Sequence, residues 1–276
     1  MRINSQKIYR TVFFIIFLLL AFTYVFPLLY VLLNSFKTNI EMGRGMWSWP
    51  DSLALTNYSY IFTHYNVGAM FVNSIIVTFG GVAVSVTMVT ITAYALARFK
   101  FFGRNFLFVF ALVVMFIPSM TSLPAIYKFM SDLRLIDTIG GVLILYAGPF
   151  GMNFFIMYAY FKGISASYSE AAKIDGASEM AILLRIMIPM AAAGIAVIAL
   201  MSGIGYWNDY LTPYIYMRNV HTLATGLQDL TLNAQNRGKY VELFAATIVS
   251  ILPVITVFII LQKNIIGNIM TGGLKG

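Results

Sequence analysis

Six stretches, at residues 11–33, 70–97, 105–127, 138–161, 189–211 and 241–262, each run for more than twenty residues with almost no charge. Only Asp209 and Glu242 are charged within them, and both sit within two residues of an end. A helix needs about 20 mainly apolar residues to cross the hydrocarbon core of a bilayer. Backbone in that core must satisfy its own hydrogen bonds, which leaves helices and closed barrels. Barrel strands would read as alternating segments of about 10 residues, a pattern this chain lacks. The chain is therefore predicted to be an all-α integral membrane protein with six transmembrane helices. Composition agrees: 60% of residues are hydrophobic and 10% charged, against about 25% charged in soluble domains.

The links between the stretches set the expected orientation. The N-terminal segment, the second-to-third and fourth-to-fifth links and the tail hold eleven of the 18 Lys and Arg. The remaining links hold seven, and the acids divide the opposite way, three against seven. The net charge of +8 thus lies wholly on one side, which the positive-inside bias makes cytoplasmic. Both termini and the loop at 162–188 are expected there, and no nucleic acid is needed to explain the basic excess. The first apolar run is too long for a signal-peptide core and no small-residue cleavage site follows it, so it reads as an uncleaved span.

The most polar of the cytoplasmic links runs from Ser167 to Pro189. Ser167, three residues ahead of Glu170, predicts a capping box, and Glu170 to Asp175 reads as helix with its acid early, as the helix dipole favours. Gly176 permits a positive φ. Ser178 is placed to cap a second helix that runs through Met180, Ile182 and Leu183 towards Pro189. Two short helices jointed at a glycine make a compact knob. Ala171, Ala172 and Ala177 leave it flat enough to seat in another protein, and Met180, Ile182 and Leu183 call for cover from water.

Elsewhere the signals are weaker. There are no cysteines and two histidines, His64 and His221, so neither a thiolate nor an imidazole metal site can be assembled and no metal is expected. Trp47 and Trp49 read as an interfacial belt. The second stretch carries Gly80, Gly81, Ala83, Ser85, Ala93, Ala95 and Ala97, and such small residues let membrane helices approach closely. Pro118 and Pro124 predict a kink in the third. Leu223, Leu227 and Leu230 fall on one face of a short helix. There is no nucleoside triphosphate loop: Gly267-x4-Gly272 is followed by Gly273 rather than Lys. No catalytic residue is assigned.

The pattern Glu170-Ala171-Ala172, three residues, Gly176, nine residues, Ile186, one residue, Ile188-Pro189 resembles the coupling loop of binding-protein-dependent ABC importer permeases, with Ile188 where the family has Leu. The likeness extends through Asn57-Tyr58, Phe71-Val72-Asn73-Ser74, Ala93-Tyr94-Ala95-Leu96-Ala97-Arg98-Phe99, Gly103-Arg104, Trp207-Asn208-Asp209 and the tail from Thr271. It is most similar to the carbohydrate-uptake branch, as the second permease of maltose-type and multiple-sugar importers. Departures are Ile164-Ser165, where Ile-Pro is usual, and Met190-Ala191-Ala192-Ala193, where a second proline often follows the first.

The resemblance implies a type I importer permease fold, one domain over 1–276, with a core at 70–262, a coupling loop at 162–188 and a tail at 263–276. It implies a bacterial or archaeal plasma membrane, a second homologous permease in a heterodimer, two cytoplasmic ATPases that bind the ATP and Mg, and an external solute-binding protein. No cofactor belongs to this chain itself. Glu170, Ala171, Ala172, Asp175, Gly176 and Ala177 would meet the ATPase, with Gly272, Gly273 and Lys275 as tail contacts. Asn153, Tyr206, Trp207 and Asn208 are candidates for the substrate path. The alternatives are an importer of a non-sugar solute, an ion-coupled transporter, disfavoured because no ionisable residue sits mid-span, and an intramembrane hydrolase, which would need a base at depth.

Overall fold

The computed structural model describes residues 5–117 and 119–272, with side chains as far as residue 260 apart from positions 5, 8, 119 and 120. Every regular element among them is helical. In chain order these are α1 (Ser5–Ser35), α2 (Asn39–Arg44), α3 (Thr56–His64), α4 (Val67–Arg98), α5 (Arg104–Phe116), α6 (Ser119–Asp132), α7 (Ile139–Tyr146) and α8 (Met152–Gly163). There follow α9 (Ser167–Ile174), α10 (Glu179–Ile182), a π-helical turn (Leu183–Met187), α11 (Ile188–Met190), α12 (Ala192–Asn208), α13 (Leu211–Tyr216), α14 (Leu223–Arg237) and α15 (Tyr240–Gly272).

Three of these are single helices long and apolar enough to cross a membrane, at Tyr9–Ser35, Val67–Arg98 and Tyr240–Ile260. Two bent pairs qualify together: Arg104–Phe116 with Thr121–Asp132, at 109°, and Glu179–Met190 with Ala192–Asn208, at 76°. The first break falls at Pro118, one of the two prolines expected to kink the chain, which itself lies outside the described residues; Pro124, the other, lies within α6. The stretch at 138–161, expected as one helix, is divided into α7 and α8. Ala147-Gly148-Pro149-Phe150-Gly151 explains the division, because Pro149 lacks an N–H and biases Gly148 away from helix, while Gly151 takes a φ of +148°. By length and composition the count is three spans, or five if each bent pair is one.

The chain separates into two compact units, residues 69–225 and residues 1–68 with 226–276. In the second of these, α1 runs beside α15, with Tyr30 edge-on to Phe244. The loop after α1 is fastened by Asn57, whose amide donates to the carbonyls of Ser35 and Lys37 at 2.8 and 2.7 Å, and by the Tyr58 hydroxyl on the Ser35 hydroxyl. Lys37 is fully buried and spends its ammonium on the carbonyls of Gly45 and Met46. Glu242, at the start of α15, accepts from Tyr65 and pairs with Lys239.

Thr38 and Glu41 form a reciprocal capping box on α2, the Glu41 carboxylate accepting from the backbone N–H of Thr38 and of Asp51 at 2.6 and 2.7 Å. The Thr38 contacts, foremost, hold the Glu41 carboxyl below its ordinary pKa. A depressed folded value stabilises this loop above the ordinary carboxylate range near pH 4, and the contribution is lost as pH falls through the folded value. Acidification should therefore loosen residues 38–51 and shift tryptophan emission, since Trp47 and Trp49 are two of the 3 indoles. Glu41→Gln should abolish that acid transition; an unchanged transition would contradict the assignment.

In unit 69–225 lies α4, the most buried of the three single spans. A third of its apolar window is buried within the protein, against none for Tyr9–Ser35 and 11% for Tyr240–Ile260, as its small residues lead one to expect. Between helices in lipid, close packing replaces the hydrophobic drive. A Cβ on Gly81 would lie 2.7 Å from the Tyr146 ring and 3.0 Å from that of Tyr206, rings that stack at 3.9 Å. Gly81→Leu should force that pair apart and cost about 1–3 kcal/mol, read as a lower thermal midpoint of the purified complex; an unchanged midpoint would show the contact to be dispensable. Of the threonines on α4, Thr87 bonds back to the Ala83 carbonyl. Thr78 and Thr90 are buried with no partner for their hydroxyls.

Candidate functional site

The knob is built by local rules. In α9 the last turn closes with the Gly176 N–H on the Lys173 carbonyl and the Ala177 N–H on the Ala172 carbonyl, at 3.0 and 2.9 Å. That is a Schellman closure, which places the residue after the C-cap in the left-handed region. Gly176 occupies it, with φ +79° and open space around its α-carbon. The requirement there is one of backbone conformation, not of room. Ser178 then caps α10, its hydroxyl accepting from the Ala181 N–H. An ion pair between Lys173 and Glu179 spans the joint, and the Glu179 contact raises the Lys173 pKa above its ordinary value. Both groups are half-exposed, so the pair sets geometry more than stability.

Two local expectations are corrected. The capping box at Ser167 does not form: Ala166 is already helical (φ −64°, ψ −27°) and carries no side-chain cap. Ser167 is thereby drawn into the helix, and its hydroxyl pairs with that of Ser165. The second helix is also shorter than expected, giving way after four residues to the π-helical turn Leu183–Met187. That widening directly precedes Pro189, which has no N–H to return to Arg185 in an α register.

The knob has two faces. Ala172, Ile182, Leu183 and Met187 are buried in one core with Tyr94 and Ala97 of α4 and with Phe154, Met157 and Phe161 of α8. Of the three apolar residues said to need cover, Ile182 and Leu183 have it and Met180 does not. The outer face shows Tyr168, Ile174, Met180 and Leu184, with Ile174 87% exposed. Glu170, Ala171, Asp175 and Gly176 are exposed as well, Ala177 is half-buried and Ala172 faces inward.

Arginines tie this core together. Arg98, at the end of α4, donates to the Ile164 carbonyl at 2.5 Å and reaches Met187. Arg104 donates to the Leu96 carbonyl at 2.8 Å, across a turn in which Gly103 has φ +83°. Both arginines lie in the stretches that carry the family resemblance, and the structure adds this role. No sequence signal gives these partners, because Arg104 begins α5 and Arg98 reaches a carbonyl at the end of α8.

The candidate substrate-path residues each engage a different neighbour. Asn153 donates to the Ser202 hydroxyl at 2.9 Å, Tyr206 stacks on Tyr146, Trp207 lies edge-on to Phe71, and Asn208 bonds back to Ile204. Next to them Asp209 accepts from the Tyr146 hydroxyl and the Thr212 N–H. Of the tail candidates, Gly272 is the last described residue, and Gly273 and Lys275 lie outside the described residues.

Residues 86–269 match the family described as binding-protein-dependent transport system inner membrane component. An arabinooligosaccharides transport system permease protein of Halalkalibacterium halodurans is 33% identical over 94% of this chain and 94% of its own length. A diacetylchitobiose uptake system permease protein of Streptomyces coelicolor is 28% identical over 98% and 90%, and a maltodextrin transport system permease protein of Streptococcus pneumoniae is 29% identical over 93% and 92%. The solved structure of a bacterial ABC transporter involved in the import of the acidic polysaccharide alginate matches with a TM-score of 0.77 at 26% identity, over 95% of this chain and 98% of that one.

Proposed function

This chain belongs to the family of binding-protein-dependent transport system inner membrane components, and from that premise we propose that it forms half of the pore of an ATP-driven importer of sugars or oligosaccharides, paired with a second, homologous permease. As a member of that family it is a multi-pass membrane subunit of an ABC transporter and not an enzyme. Two ATPases, which bind the ATP and Mg, dock from the cytoplasm on the outer face of the knob, and an external solute-binding protein delivers cargo. The relatives' oligosaccharide names support the cargo class. In this reading α7 and α8 share one span, which brings the count to six with both termini cytoplasmic. Gly272, Gly273 and Lys275 extend the ATPase contact, and Asn153, Tyr206, Trp207 and Asn208 lie along the path.

One observation carries the coupling: the inner face of the knob shares a single buried core with the ends of α4 and α8. A push on the outer face is thereby passed to membrane helices instead of being absorbed by a loose loop. Uptake of a labelled oligosaccharide should stop on ATP depletion and continue with a protonophore while ATP is maintained. The reverse pattern would favour an ion-coupled transporter.

A further inference from the structure

At the far end of α4 from the knob lies a cavity of about 530 Å³, lined by Tyr127, Tyr214, Met217, Arg218, His221 and Thr225 among others. Its walls are fastened from three sides. Asn73 donates to the His221 carbonyl at 2.9 Å, and Ser74 accepts from the Leu223 N–H at 2.8 Å. Thr222 and Thr225 cap one another, and Asp137 holds both nitrogens of Asn219. Ser74 and Arg98, the fastening points of cavity and knob, are 24 residues apart on one helix. At 1.5 Å per residue that is about 36 Å, close to the hydrocarbon thickness of a bilayer. In the orientation proposed above, this end of α4 is the external one, where a solute-binding protein would deliver cargo.

We propose that this cavity is a subsite for one or two sugar units of the incoming oligosaccharide, an inference that rests on the cargo class given above. Its volume is in the range of small-ligand sites. Sugars present apolar C–H faces and rows of hydroxyls, and the lining holds groups for both: the rings of Tyr127 and Tyr214 beside apolar Ile215 and Met217, with Arg218, His221 and Thr225 as polar groups. Arg218 is exposed, makes no ion pair among the described residues, and offers a planar fork of donors suited to neighbouring oxygens. Because the walls are already held, little ordering is required on binding.

The test is saturation-transfer NMR on the whole importer in nanodiscs without solute-binding protein, using maltotriose, arabinotriose and diacetylchitobiose as probes. At least one probe should receive saturation, and Arg218→Gln and Tyr214→Ala should each weaken its binding about tenfold, the loss expected for one charge-assisted or stacking contact. No transfer to any of the three, or transfer indifferent to both substitutions, would overturn the subsite. Uptake of the same probes separates the two readings. Uptake without transfer removes the cavity alone, whereas transfer without uptake keeps the cavity and counts against the import reading.

Discussion

An importer carrying Gly176→Pro in this chain should insert and assemble with its partner permease yet show background uptake. Proline fixes φ near −65°, whereas residue 176 stands at +79°. It also deletes the N–H that closes α9 on the Lys173 carbonyl. The joint cannot form, and the cap on α10 loses its place relative to α9. Gly176→Ala is the graded control. Beyond the residue itself and its two chain neighbours nothing lies within 4 Å of the added methyl, so its cost is the left-handed conformation alone, about 1–2 kcal/mol, and uptake should be reduced but measurable. If proline at 176 left uptake at the wild-type level, the geometry of the joint would be irrelevant to transport.

The second large effect separates the two faces of the knob. Ile182 is 0% exposed and belongs to the core shared with α4 and α8. Ile182→Ala should leave a cavity costing about 2–5 kcal/mol, loosening the knob from the helices while its outer surface survives. The expected phenotype is retained ATPase association with ATP hydrolysis no longer tied to uptake. Met180→Asp, two residues away on the exposed face, should do the opposite, leaving thermal stability unchanged while ATPase association falls. Equal effects of the two on association would mean that the faces are not functionally distinct.

Much of the knob was legible in the sequence, because it follows from short-range rules. A glycine after an alanine-rich helix and a serine before a glutamate each have few conformational solutions, and both took the expected one. Ser167 misled because the helical state of Ala166, a residue with no side-chain signal, decides where α9 begins. The division of the fourth apolar stretch was written in Gly148-Pro149, but hydropathy averages over such a pair. The anchoring by Arg98 and Arg104 was unreadable for a different reason: both reach carbonyls whose position depends on how α4, α5 and α8 pack. The cavity beside Tyr214 and Arg218 likewise draws its walls from α6, α13, the turn before α14 and the first turn of α14, segments up to about a hundred residues apart.

The most direct measurement uses the absence of cysteine from this chain. Ile174→Cys places one thiol on the exposed outer face of the knob, and a maleimide–amine crosslinker can then be applied to the assembled importer. The expected result is a covalent adduct with the ATPase subunit and no labelling of intact cells by an impermeant maleimide. Labelling from outside the cell, or failure to capture the ATPase from position 174 or its exposed neighbours in a complex shown to contain it, would contradict the claim that this knob receives the motor's force.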